Sequence, residues 1–239
     1  MASAERHWSA AKEQYAAGDY LKAMQNLDPL LDGPAEYRAK ALPFSLVLTA
    51  GAASGYLDMA DYYTSGAHVN KAHAAVLHRK ASDYRALANH MVLQFAENVG
   101  KMETLGSRSV QLAFGPLKGT AAEPALFRQI SDGMELVSTD EDTALALAVD
   151  RGVLLAVCAA AGQPNNPTRT TEMLQRGSAI VNRATFMKAM ADMLMQDAKL
   201  YGRNSLDDPS KMAKLRQVAQ DATKEVPGSS TAMVLPASN

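Results

Sequence analysis

The side chains able to do chemistry fall into a few groups. His68, His73 and His78 lie five residues apart, with His90 further on. Imidazole is a common metal ligand, but ligands must converge on one ion. On a single helix each five-residue step turns the side chain by ~140°. The three rings then point apart, and the spacing reads as surface or partly buried histidines with no metal centre. Asp58 and Asp61, followed by Tyr62 and Tyr63, form a second group. Asp58 and Tyr62 are four apart and so share a helix face. Carboxylates beside phenols do acid–base work only where a cleft perturbs their pKa. The plainer reading is an amphipathic helix with core tyrosines, so these residues enter as binding candidates and no residue enters as catalytic. No serine sits in a nucleophile elbow and no glycines have phosphate-loop spacing, so no cofactor is expected.

Cys158 is the only cysteine, which rules out an intrachain disulfide. Its apolar run, Val153 to Ala159, has no basic neighbour to lower the thiol pKa, and it reads as a small core hydrophobe. Methionines are more suggestive. Met187, Met190, Met193 and Met195 crowd one stretch, and Met24, Met59, Met91 and Met134 lie on others. Methionine fills irregular gaps and makes adaptable apolar surfaces, so these residues read as core, with a methionine-lined pocket or oligomer face as the sharper alternative.

The elements that must position these groups are helical. Of 239 residues 47% are apolar but only 6% aromatic, so alanine and methionine carry much of the apolar fraction. Alanine is the best helix former. A net charge of −1 gives no electrostatic reason to expect nucleic acid. No window reaches the ~20 apolar residues of a bilayer span. The start, Met1-Ala2-Ser3-Ala4-Glu5-Arg6, does not resemble a signal peptide, and the compartment stays open between cytoplasm and a mature exported form.

Helices are predicted over about Ala4–Ala17 and from Asp19 to Leu31, with Gly18 between them. A third runs from Pro34 to about Ser54 with a kink or break at Pro43, and a fourth from Tyr56 to Ser65. A long stretch follows from Val69 to Met102, with an interruption near Ser82. Glycines at 106, 115 and 119 mark a boundary between two layers, with a short helix Ser109–Phe114 inside it. Helices at Pro124–Val137 and Thr139–Ala161 follow, the latter opened by a capping box of Ser138 and Glu141. Thr170–Ile180, Arg183–Tyr201 and a last helix from Asp208-Pro209 complete the chain. The domain reading is 1–104 as helical hairpins, 105–120 as connecting turns, 121–226 as a second helical layer and 227–239 as a disordered tail.

The turn Gly18-Asp19-Tyr20-Leu21-Lys22-Ala23 recurs in outline 37 residues later as Gly55-Tyr56-Leu57-Asp58-Met59-Ala60. With Ala11, Leu27 and Leu30 it makes the stretch Ala11–Pro34 resemble a tetratricopeptide repeat, although that repeat's usual period is about 34 residues. The resemblance implies an all-α fold of about 9–11 helices in stacked hairpins, an α-α superhelix. Its concave face would carry Tyr20, Tyr56 and Tyr63, beside Asp58 and Tyr62, and bind a protein partner. More narrowly, Ala41-Leu42-Pro43-Phe44, the loop Gln163-Pro164-Asn165-Asn166-Pro167, the helix Arg183–Tyr201 and the last helix look like the T components of TRAP-transporter-associated periplasmic lipoproteins. That likeness implies a homo-oligomer, a solute-binding protein as partner and a hydrophobic small molecule as ligand. No lipid-bearing cysteine stands near Met1. The expectation is a non-enzymatic scaffold or adaptor, with the transport-accessory lipoprotein as the alternative.

Overall fold

The structure, a computed structural model, describes residues 2–102, 105–113, 141–164, 166–175, 179–201 and 209–224. Among these the chain is helical except for one two-stranded sheet. Helices α1 (Ala2–Ala17) and α2 (Tyr20–Leu31) form the first hairpin. Gly18 turns it with φ +78°, a left-handed conformation that glycine adopts without Cβ strain. The Asp19 N–H donates to the Gln14 carbonyl at 2.8 Å and the Gly18 N–H to that of Tyr15 at 2.9 Å, closing the end of α1. Asp19 then caps α2, its Oδ1 accepting from the Lys22 N–H at 3.4 Å.

Helix α3 (Ala35–Val69) is the hub and packs against α1, α2, α4 (Ala74–Met102) and α5 (Glu141–Ala160). It corrects the expected division into two helices. The chain runs helically through Pro43 and through Gly55, where a turn was expected. Every residue from Ala41 to Thr49 is buried, so tertiary packing supports the helix across the proline. Gly55 therefore serves close approach and does not form a second hairpin turn. A Cβ there would lie 2.7 Å from the Val149 N of α5, and one on Gly51 would lie 2.5 Å from the Val153 backbone. Helix α4 likewise continues through Ser82 without interruption. Asn98 of α4 and Ser45 of α3 meet inside this packing, Asn98 Nδ2 donating to Ser45 Oγ at 3.3 Å.

The expected short helix at Ser109–Phe114 is instead strand β1 (Ser109–Leu112), paired antiparallel with β2 (Ala179–Asn182). Val110 and Leu112 face inward from one strand, Ala179 and Val181 from the other. This period of two is the signature that a helical reading overlooked. The expected helix Thr170–Ile180 is accordingly shorter and earlier, as α6 (Pro167–Gln175). Helices α7 (Arg183–Tyr201) and α8 (Pro209–Lys224) pack as a pair, and Arg183 ties the sheet region to α4 by donating from its guanidinium to the Met102 carbonyl at 2.5 Å. The predicted helix Pro124–Val137, the cap Ser138 and the tail 227–239 lie outside the described residues.

One continuous core joins these elements. It includes Phe44, Leu46 and Leu48 of α3, Phe95 of α4, Val153 and Val157 of α5, and Phe186 and Met190 of α7. Cys158 is buried in it, and burial pushes its thiol up, away from thiolate reactivity. Helix α5 is long and apolar enough for a membrane span by length and composition, which no window was expected to reach. Its buried face, including Ala148, Val149, Gly152 and Val153, packs on α3.

Candidate functional site

The candidate residues occupy different positions around α3. Tyr20 is a core residue, its ring 5.2 Å from that of Tyr15, which in turn packs edge-on against Phe44 at 5.0 Å. Tyr56 and Tyr63 are two turns apart on α3 and both face Tyr84 of α4. The Tyr63 and Tyr84 rings stack at 5.7 Å and 11°, and Tyr56 lies 6.2 Å from Tyr84. Tyr62 is 46% exposed and touches only the edge of this group, 5.6 Å from Tyr63. Asp58 does not join it. The Asp58 carboxylate turns to Arg151 of α5 at 3.7 Å. Burial raises the Asp58 pKa, Arg151 opposes that rise and Asp61 adds to it.

Sequence reasoning missed the charged end of the aromatic stack. Lys80, one turn before Tyr84 on α4, lies over the Tyr63 ring at 5.1 Å and pairs with Glu141, at the start of α5. Tyr84 Oη donates to Glu141 Oε1 at 2.9 Å. Glu141, expected to serve a capping box, is thus engaged by two side chains of α4. The cluster joins α3, α4 and α5. Its chemistry is that of a clamp. The hydrogen bond with Lys80 lowers the Glu141 pKa, and the same bond raises that of Lys80. Desolvation first, then the bond to Glu141, raises that of Tyr84. All three groups move away from neutral pH, whereas a general acid or base is tuned towards it.

The pH signature follows from those directions. A depressed Glu141 pKa adds stability above the unfolded value of about 4.3, which is lost as pH falls through the folded value. The raised Lys80 pKa adds stability below about 10.4 that is lost as pH rises through its folded value. Both side chains are more than one-third exposed, so solvent screens the pair. Glu141→Gln should therefore cost no more than about 1 kcal/mol at neutral pH. In urea melts the gap between variant and parent should close below about pH 3. A gap that is constant with pH would remove the ion pair as its cause.

His68, His73 and His78 straddle the α3–α4 turn and do not share a helix. The turn brings the His68 and His78 rings to 6.2 Å, edge to face, with all three histidines exposed. Among the described residues no three histidine, cysteine or carboxylate side chains gather as metal ligands would.

The methionines divide between core and cleft. Met59, Met187 and Met190 are fully buried. Met24 of α2, buried at 7% exposure, and the partly buried Met91 of α4 also line an open cleft of about 590 Å³, with Leu21 beside them and Tyr56 of α3 at its floor. Gln25, Asp28, His90 and Glu97 form its polar rim, with Lys214 reaching it from α8. Gln94 spans the cleft and donates to Asp28 Oδ1 at 3.4 Å. Burial raises the Asp28 pKa, with Gln94 and Lys101 opposing the rise. The spacing of Leu21 and Met24 on one helix was the visible signal. Their partner Met91 could be matched to them only once α4 was seen to run alongside α2.

Compared with known proteins, the chain matches no family model, no curated protein and no solved structure.

Proposed function

We propose that this chain is a non-enzymatic helical scaffold that takes an amphipathic helix of a protein partner into the cleft between α2 and α4. The observation carrying this reading is the cleft itself. Leu21, Met24, Tyr56 and Met91 offer an apolar floor, and amide and charged side chains form the rim. A groove between two helices suits a third helix presenting anchors at i, i+3 and i+4, and methionine adapts to the anchors it meets. The polar clusters nearby support a binding role because they are closed: Lys80, Tyr84 and Glu141 satisfy one another, as do Asp58 and Arg151. The antiparallel pair α1–α2, turned at Gly18, supports a tetratricopeptide-like reading of the first hairpin alone.

A photo-crosslinking amino acid at position 25, on the exposed rim, tests this in extract of the native cell. The expected result is one discrete adduct, competed away by unlabelled protein and lost in Met91→Lys. Met91 is only partly buried, so a lysine can lay its stem along the wall and leave the fold intact. The same probe at the exposed position 83 should give no adduct. Equal labelling from both positions, or an adduct that survives Met91→Lys, would overturn the assignment.

A further inference from the structure

A second concavity, of about 470 Å³, lies on the far side of α3 between α3, α5 and α7. Its floor is α5, where Ala156 is small and Leu155 stays 38% exposed, unusual for leucine on so apolar a helix. Leu57 and Ser54 of α3 form one wall and Met193 of α7 the other. Asp197 lines the same α7 wall, one turn beyond Met193. Among the described residues it has no hydrogen-bond or ion-pair partner. The other carboxylate of the groove, Asp192, is committed to Lys188 at 2.6 Å. Neither α3 nor α5 contributes a charged side chain to the lining.

We infer that this groove binds a small organic cation, a protonated amine on an apolar body, with Asp197 as its counter-ion. Asp197 is half-buried, open to the groove on one side, and a partly desolvated carboxylate without a partner gains from a charge that meets it; burial pushes its carboxyl up to about 7. A bound ammonium supplies that charge and a hydrogen bond that charge strengthens. The apolar body covers Leu155, Leu57 and Met193, and the cavity is of the size that small-molecule sites have. The groove is separate from the α2–α4 cleft, shares no lining residue with it and does not depend on the scaffold reading.

Titration calorimetry with 2-phenylethylamine and its neutral isostere 2-phenylethanol, on the full chain at about pH 8, tests the assignment. There the carboxylate is ionised and the amine protonated. The amine should bind about tenfold tighter than the alcohol, or better. Asp197→Asn should abolish that preference and leave alcohol binding unchanged. It removes a poorly solvated charge, so the variant should fold at least as well as the parent. Leu155→Arg, at a partly exposed position, should weaken both ligands by occupying the floor and repelling the amine. The amine preference should also fade as pH drops through the Asp197 value. Equal affinity for amine and alcohol, an amine preference that persists in Asp197→Asn, or no binding of either would overturn the inference.

Discussion

Gly152→Ala should lower the stability of this protein by about 2–4 kcal/mol, although alanine is the better helix former. In an open helix interior the exchange gains about 1 kcal/mol. At position 152 the added Cβ would lie 2.2 Å from the Gly51 carbonyl oxygen and 2.9 Å from its carbon. Both are backbone atoms of α3, so no side-chain rotation relieves the contact. The helices must separate, and separation is costly because the contact is reciprocal. Gly51 is seated on the Val153 backbone and Gly55 on that of Val149, so one methyl group lifts a whole glycine-lined face. Packing is lost around Ala52, Val149 and Val153, all buried. Near 240 residues, a loss of ~3 kcal/mol should appear as a fall in Tm of roughly 6–12 °C. Gly100→Ala is the control. Gly100 is exposed near the end of α4, and a Cβ there meets nothing within 4 Å. That variant should gain up to about 1 kcal/mol. If Gly152→Ala melts at or above the parent temperature, the close crossing of α3 and α5 is wrong.

The same crossing shows what a linear reading can and cannot recover. Gly18 and Gly55 have the same local context, each followed by a large apolar residue two places on and an alanine five places on. Glycine has two distinct uses, a left-handed backbone and the absence of a Cβ, and one letter stands for both. Gly18 uses the first, with φ +78°, and its hairpin was legible from Asp19 and the apolar stripe of α2. Gly55 uses the second. What decides it is Val149, on a helix far along the chain, which local spacing cannot reveal. The helical character was legible because alanine, leucine and methionine recur at helical spacing over long stretches. The two strands were not, since four residues each are too few for a period of two to stand out, and each depends on a partner some 70 positions away. Among the candidate site residues, Tyr56 and Tyr63 do share a face, as seven-residue spacing requires. Tyr84, the ring that unites them, comes from α4, so the aromatic group had no contiguous signature. Asp58 and Tyr62 show the converse. Four residues apart on one helix, they still part company because Arg151 draws the carboxylate towards α5. Asp197 falls four residues after Met193 and three after Leu194, on the apolar face of α7, and only the packing of α3 and α5 beside it makes it a groove residue.

Phe44→Ala should cost about 3–5 kcal/mol and should loosen α1 more than any other helix. Phe44 is fully buried and is the residue of α3 on which the aromatic side chains of α1 converge. Trp8 meets it edge-on at 6.0 Å and 81°, and Tyr15 at 5.0 Å and 74°. Edge-to-face pairs of this kind contribute about 0.5–1.5 kcal/mol each beyond the apolar area they cover. Truncation removes both pairs together and leaves a cavity that rigid neighbours on α3, buried on either side, cannot fill. Helix α1 has few other holds on α3 and otherwise rests on α2, so its local opening should become cheaper than global unfolding. Amide exchange followed by mass spectrometry separates the two effects. Peptides from residues 2–17 should lose protection by a larger factor than those from α3 or α5, while urea unfolding reports the global loss. Phe44→Leu, which keeps apolar volume but no ring, should fall between parent and alanine variant in both measurements. A uniform loss of protection across all helices would mean that α1 is held by α2 alone and that Phe44 acts only as bulk in the core. A loss below about 1 kcal/mol would contradict its central place in the packing.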